Sequence, residues 1–216
     1  MKDNYRTVFT YGEDESIIKK SRFIGYALPI DSEEEALKFI DEIKSKDRDA
    51  THNVYAYVVG ENSNTQRFSD DGEPSGTAGI PVLEIIKKED LRNVVVVVTR
   101  YFGGIKLGGG GLIRAYTKSA KIGLEAAKII DMVVHKKLKI RLDYSLYGKI
   151  ENYLLVNEYT VDDTTFDTSI NITICVDNEE VEEFIKTITN LTSGGAEIEE
   201  LELLHLPTLD GKRLKK

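Results

Sequence analysis

VVVVVTRYFGGIKLGGGGLIRAYTKSA, residues 94–120, is the stretch from which the fold is read. Five valines and a threonine form a β-branched run with no polar interruption, which predicts a central strand, Val94 to Thr99. Six glycines then fall within the nine residues 103–111. An amphipathic pattern follows and predicts a long helix from Gly111 to Ile129. A strand, a glycine turn and a helix in that order bring unpaired N–H groups and the positive end of a helix dipole together, the geometry of an anion site. Glycine loses the most backbone freedom on ordering. So many glycines imply a ligand or partner that approaches the backbone closely, or tight packing of helix on sheet. Positive φ or close approach is expected at Gly109 and Gly110.

No standard phosphate fingerprint fits. Gly104 and Gly109 have the first spacing of a P-loop, but Gly110 and Gly111 replace its lysine and hydroxyl residue. Gly108 and Gly110 begin a dinucleotide pattern, and Ile113 stands where its last glycine or alanine belongs. Around the loop, Arg100, Lys106, Arg114 and Lys118 interleave with Tyr101, Phe102 and Tyr116. Such a mixture suits base stacking with phosphate contact. The alternative is that Phe102 and Tyr116 are core and the cations are solvated.

A second special stretch is RFSDDGEPSGTAGIP, residues 67–81. Asp70, Asp71 and Glu73 offer three carboxylates to a hard cation or to acid–base chemistry. The same residues are also turn chemistry, with Gly72 supplying positive φ. Ser75 or Thr77 is expected to cap the next helix, Ile80 to Ile86, in which Pro81 is tolerated near the start. His52 opens a strand that continues through Val54–Val59, as a general base or as a structural residue. His135 and His205 have no metal-ligand spacing, and there is no nucleophile elbow. Neither metal nor cofactor is expected.

In the remaining first half, Ser16–Ile30 read as one or two strands. Asp31 or Ser32 caps a helix, with Glu34 or Glu35 in its first turn and Ala36, Leu37, Ile40 and Ile43 on its buried face. A break is expected between Asp131 and Lys137. Beyond it come a strand (Leu138–Tyr144), a helix (Ser145–Val156, with Ile150, Tyr153, Leu154 and Leu155 on one side) and two strands (Glu158–Val161 and Thr168–Val176) around an Asp162-Asp163 turn. A helix (Glu179–Leu191, with Val181, Phe184, Ile185 and Ile188 on one face) and a strand (Ala196–Leu206) complete a ferredoxin-like βαββαβ order. The basic tail, PTLDGKRLKK, is expected to be mobile.

The net charge is −8, unevenly spread. Residues 1–134 carry 19 basic and 21 acidic side chains, residues 138–205 four and 15. The second half should repel polyanions, so nucleic-acid contact has to be local and in the first half. The one cysteine, Cys175, permits no internal disulfide and reads as a small buried hydrophobe. No apolar run approaches the roughly 20 residues of a membrane span. The N-terminus lacks a signal-peptide core, and a cytoplasmic protein is expected.

KSRFIGYA, ATHNVYAY, RFSDDGEPSGTAGIP and the valine–glycine stretch, in this order, resemble the IMPACT family and its YigZ-like bacterial members. The resemblance implies an α+β protein of two domains. The first, residues 1–134, is an α/β domain of the ribosomal-protein and GHMP-kinase-like type; the second, residues 135–206, is ferredoxin-like, followed by the tail, 207–216. The positions matching the family motifs are Arg22, His52, Arg67, Asp70, Asp71, Glu73, Thr77, Arg100, Tyr101, Lys106, the glycines including Gly108 and Gly111, Arg114 and Tyr116. The resemblance assigns none of them a catalytic role. Eukaryotic relatives carry a different additional domain and restrain a starvation-sensing kinase by competing for its ribosome-associated activator; this sequence does not show that domain, so the role does not carry over. What does carry over is a connection to translation. The expectation is a binding protein whose motif loops contact the ribosome, RNA or a translation factor. The rival is an enzyme that holds a phosphorylated small molecule or nucleotide at the glycine loop with Mg²⁺.

Overall fold

A computed structural model describes residues 4–60 and 62–214. The chain divides into two compact units, one built on Tyr5–Asp131 and one on Met132 onward.

In the first unit the valine run is β6 (Val94–Tyr101), the middle strand of a five-stranded sheet. β3 (Ser21–Pro29) lies on one side and β4 (His52–Val59) on the other. β2 (Gly12–Ile18) and β5 (Thr65–Ser69) form the edges, and every pairing is antiparallel. The run lacks alternation because both faces are covered. Val94, Val96 and Val98 face α2 (Gly79–Lys88) and α3 (Gly109–Ala126). Val95 and Val97 face α1 (Glu33–Lys46), and all five are fully buried. β1 (Tyr5–Val8) runs beside the loop before β6, where the Arg92 N–H donates to the Arg6 carbonyl at 3.0 Å.

Local chemistry sets these boundaries. Ser32 caps α1 by accepting from the Glu35 N–H at 3.2 Å, and Glu35 accepts from the Asp31 N–H at 2.7 Å, which satisfies two orphan donors. On the buried face Phe39 joins Ala36, Ile40 and Ile43, whereas Leu37 is exposed. α3 begins two residues before the sequence expectation and ends at Ala126. Lys128 then turns at φ +60°, and Ile129 already belongs to β7 (Ile129–Leu142). The sequence reading missed β5, whose last three residues, Arg67, Phe68 and Ser69, open the stretch 67–81.

The second unit has the ferredoxin-like strand order β10-β7-β9-β8, extended by β11. Its elements are α4 (Tyr144–Val156), β8 (Val161–Phe166), β9 (Ile170–Asp177), α5 (Val181–Leu191), β10 (Glu197–Leu209) and β11 (Lys212–Arg213). Leu138, Ile140 and Leu142 alternate inward on β7 and pack with Ile150, Leu154, Phe184 and Ile188. Four expectations fail here. β7 starts nine residues earlier than Leu138. Asp162 and Asp163 sit within β8 at a register shift, while Asp167–Ser169 connect β8 to β9. Leu155 is exposed, because Ile150 and Leu154 fill the core side of α4. The tail does not stay free over its first part: Thr208 and Leu209 pair with Arg213 and Lys212 in a hairpin. Lys215 and Lys216 lie outside the described residues. Cys175 is buried, and burial pushes its thiol up to about 11.

Candidate functional site

Register places Phe23, Arg100 and His52 side by side across β3, β6 and β4. Arg100 is almost fully buried there, which demands a counter-charge. Glu73 supplies it: Arg100 Nη1 donates to Glu73 Oε1 at 2.5 Å, and the Tyr116 hydroxyl of α3 donates to the same oxygen at 2.7 Å. His52 Nε2 lies 3.8 Å from that oxygen, and His52 Nδ1 lies 2.7 Å from the Asp71 carbonyl. Burial first, and the hydrogen bond to Glu73 next, push the Tyr116 phenol far above its usual range. The two motif stretches are therefore locked together by a buried polar cluster. Arg100 Nε is buried and has no hydrogen-bond partner among the described residues.

The loop that carries Glu73 is held by its own acids. Asp71 and Gly72 both have positive φ, and the Glu73 N–H donates to the Asp70 carbonyl at 2.9 Å, the arrangement of a tight turn with Asp-Gly at its centre. Asp70 reaches forward over the start of α2. Its Oδ1 accepts from the Ala78 and Gly79 N–H groups at 3.1 and 2.8 Å, and its Oδ2 from the Gly76 N–H at 2.9 Å. Asp70 is thus the cap of α2, and neither Ser75 nor Thr77 is; the Thr77 hydroxyl donates to the Pro74 carbonyl instead. Asp71 Oδ2 accepts from the Asn53 N–H at 2.6 Å. The three carboxylates serve three different sets of donors within the fold and do not converge on a common point.

α3 starts without such help. No side chain caps it, no acid lies in its first turn, and its N-cap, Gly108, stands at φ +70°. Gly109 and Gly110 do not have positive φ, contrary to expectation; Gly104 and Gly108 do. Close approach is found at Gly103, where a Cβ would lie 2.0 Å from the Lys20 carbonyl oxygen. At Gly109 a Cβ would meet only Thr77 Cγ2, at 3.8 Å, and at Gly110 only the Arg114 guanidinium, at 3.8 Å. Side chains would fit at both positions. The first geometry shows the Thr77 loop bordering the helix start; the second shows Arg114 folded back along its helix toward the same turn. Lys106, Arg114 and Lys118 are exposed. Among the described residues, no ion pair or side-chain hydrogen bond engages any of them. Phe102, Ile105 and Ile113 are exposed beside them, and the Arg100 guanidinium carbon lies 5.4 Å from the Phe102 ring centre.

Two candidates lie elsewhere. Arg67 faces the α1 side of the sheet, opposite Tyr57, with its Nε 3.9 Å from Glu33. Tyr101 is on that side too, donating to Asp47 Oδ1 at 2.7 Å, a bond that, ahead of burial, raises its pKa. Asp47 also accepts from Tyr26 at 2.6 Å and so joins α1 to two strands. Sequence reasoning missed it, since nothing in KSKDRDA distinguishes one acid from the others.

The model of the Impact N-terminal domain matches residues 19–124, and a domain of unknown function, DUF1949, matches residues 140–194. The IMPACT family member YvyE of Bacillus subtilis is 44% identical over 206 residues, covering 95% of each chain. The IMPACT family member YigZ of Escherichia coli is 29% identical over 187 residues, covering 86% of this chain and 92% of its own. A crystal structure of a hypothetical protein superposes with a TM-score of 0.59 at 27% identity, covering 94% of this chain and 99% of that one.

Proposed function

The chain belongs to the IMPACT family, and from that premise we propose that it is a translation-linked binding protein whose N-terminal domain, residues 1–134, holds RNA phosphate of the ribosome at the start of α3. What supports the reading is one observation: the exposed glycines Gly109 and Gly110 begin an uncapped helix although side chains would fit there. A helix start without a cap leaves N–H donors for an anion. Arg114 folded back over that turn, with Lys106 and Lys118, supplies positive charge, and exposed Phe102 supplies a face for a base. Glycine at the first turn lets a phosphate reach the backbone. The translational setting comes from the family resemblance, and the reading places the protein in the cytoplasm. Against the rival Mg²⁺ enzyme stand both oxygens of Asp70, Asp71 Oδ2 and Glu73 Oε1, which accept from N–H, guanidinium and phenol donors. The acidic second domain, residues 135–206, takes no part in holding nucleic acid by itself.

Co-sedimentation with ribosomes tests the reading. The Lys106→Ala/Arg114→Ala protein should melt within about 0.5 kcal/mol of the parent, since both cations are exposed and unpaired. Its ribosome binding should fall by about tenfold, roughly the loss of two phosphate contacts, and depend less steeply on salt. Undiminished pelleting of this variant contradicts the proposal.

A further inference from the structure

The sheet of the second unit ends in β8, which pairs with β9 along one edge. β8 is the last strand in its sheet, and among the described residues nothing pairs with its outer edge. Beside that edge, between β8 and α4, lies a groove of about 240 Å³. It is lined by Tyr147, Glu151, Leu154 and Leu155 of the helix and by Val161 and Thr164 of the strand. The helix residues recur at i, i+4, i+7 and i+8, so one face of α4 runs along the groove. Apolar side chains gather here and stay in water. Leu155 is 75% exposed, Phe166 58% and Tyr144 56%. The Phe166 and Tyr147 rings meet edge-on at 5.5 Å, and the Tyr144 hydroxyl donates to the Asp167 carbonyl. An exposed strand edge beside an apolar groove is the form that accepts an added strand: backbone bonds hold it, and alternate side chains enter the groove.

Charge selects the occupant. Residues 138–205 carry four basic and 15 acidic side chains. On the edge itself Asp163 is exposed, and Glu151 lies in the groove wall. The chain's own basic hairpin already uses this complementarity, with Lys212 2.8 Å from Glu158 and Arg213 2.7 Å from Asp162 at the start of β8. The aspartates and the register shift discourage neutral strands and a second acidic copy from pairing. We propose that β8 and the α4 groove dock an extended protein segment in which apolar and basic residues alternate.

The test uses the full chain and a fluorescein-labelled peptide of alternating valine and lysine, with a valine–glutamate peptide as its opposite. The lysine peptide should bind, and amide exchange in Val161–Phe166 should slow about tenfold. Leu155→Ser and Phe166→Ser, both at exposed positions, should each weaken binding about fivefold, and Asp163→Lys by a similar factor. Four results would overturn the proposal. The lysine peptide does not bind. It binds without slowing exchange in β8. The glutamate peptide binds as well. Or sedimentation shows a dimer that Leu155→Ser dissociates, which makes a second copy the occupant.

Discussion

Replacing Glu73 by alanine is expected to destabilise the N-terminal domain by about 3–5 kcal/mol, the usual cost of breaking a buried ion pair on one side. Arg100 is 5% exposed, and among the described residues its Nε has no partner and Glu73 is the one carboxylate paired with it. Removing that charge leaves the guanidinium uncompensated and strands the Tyr116 hydroxyl as well. Glu73→Gln keeps an acceptor oxygen and loses the charge, so it should fall between alanine and the parent. The chain has no tryptophan and two units, which makes a single global unfolding curve a poor reading. Hydrogen exchange at the β6 amides reads the first unit by itself. A loss under about 1 kcal/mol for alanine would mean that the cluster is open to water and that the two motif stretches are not locked together by it.

Gly25→Ala should be of comparable severity, about 3 kcal/mol or more, because α3 lies backbone to backbone on β3. A Cβ on Gly25 would stand 1.9 Å from the Ser119 carbonyl oxygen, and one on Gly123 2.7 Å from the Gly25 carbonyl carbon. No rotamer relieves a backbone clash, so the helix has to move away from the sheet, opening the packing around Tyr116, Ala120 and Leu124. Gly148→Ala in α4, where no atom lies within 4 Å, is the matched control. It should raise stability by about 0.5–1 kcal/mol through helix propensity alone. Exchange at the β6 amides reads the first variant and exchange at the β9 amides the second; a loss under about 1 kcal/mol for Gly25→Ala would contradict the close approach.

These two sites show why the sequence is only partly legible. The valine run declared a strand covered on both faces, and the periodicities of α1 and α5 declared buried faces, because solvent acts on every turn of a helix alike. The glycine cluster was legible as special. Its glycines differ in purpose, however: Gly103 makes room for a carbonyl, Gly108 supplies a left-handed cap, and Gly109 and Gly110 meet no such demand. That division depends on neighbours about 80 residues away, such as Lys20. Asp70, Asp71 and Glu73 looked like one acidic set. Three-dimensional neighbours gave them separate tasks: a helix cap, a bond to the start of β4 and a counter-charge. Leu37 and Leu155 were misplaced because an apolar residue beside an amphipathic stripe carries no mark of which side it will take.

The central claim, that the start of α3 stays bare for an anion, is tested most directly by the Gly109→Ala/Gly110→Ala protein. Two measurements are made on it side by side: the exchange protection of its β6 amides and its affinity for ribosomes at several salt concentrations. Neither glycine has positive φ and a Cβ fits at each. Alanine should therefore stabilise the domain by about 0.5–1 kcal/mol in total, through the unfolded state and helix propensity. The added methyl groups should meanwhile keep phosphate from the backbone donors and weaken binding by about tenfold, the exchange of function for stability expected at a binding site. Slower exchange in β6 with weaker binding is the predicted result. A protein that exchanges more slowly and binds ribosomes as the parent does would contradict the account.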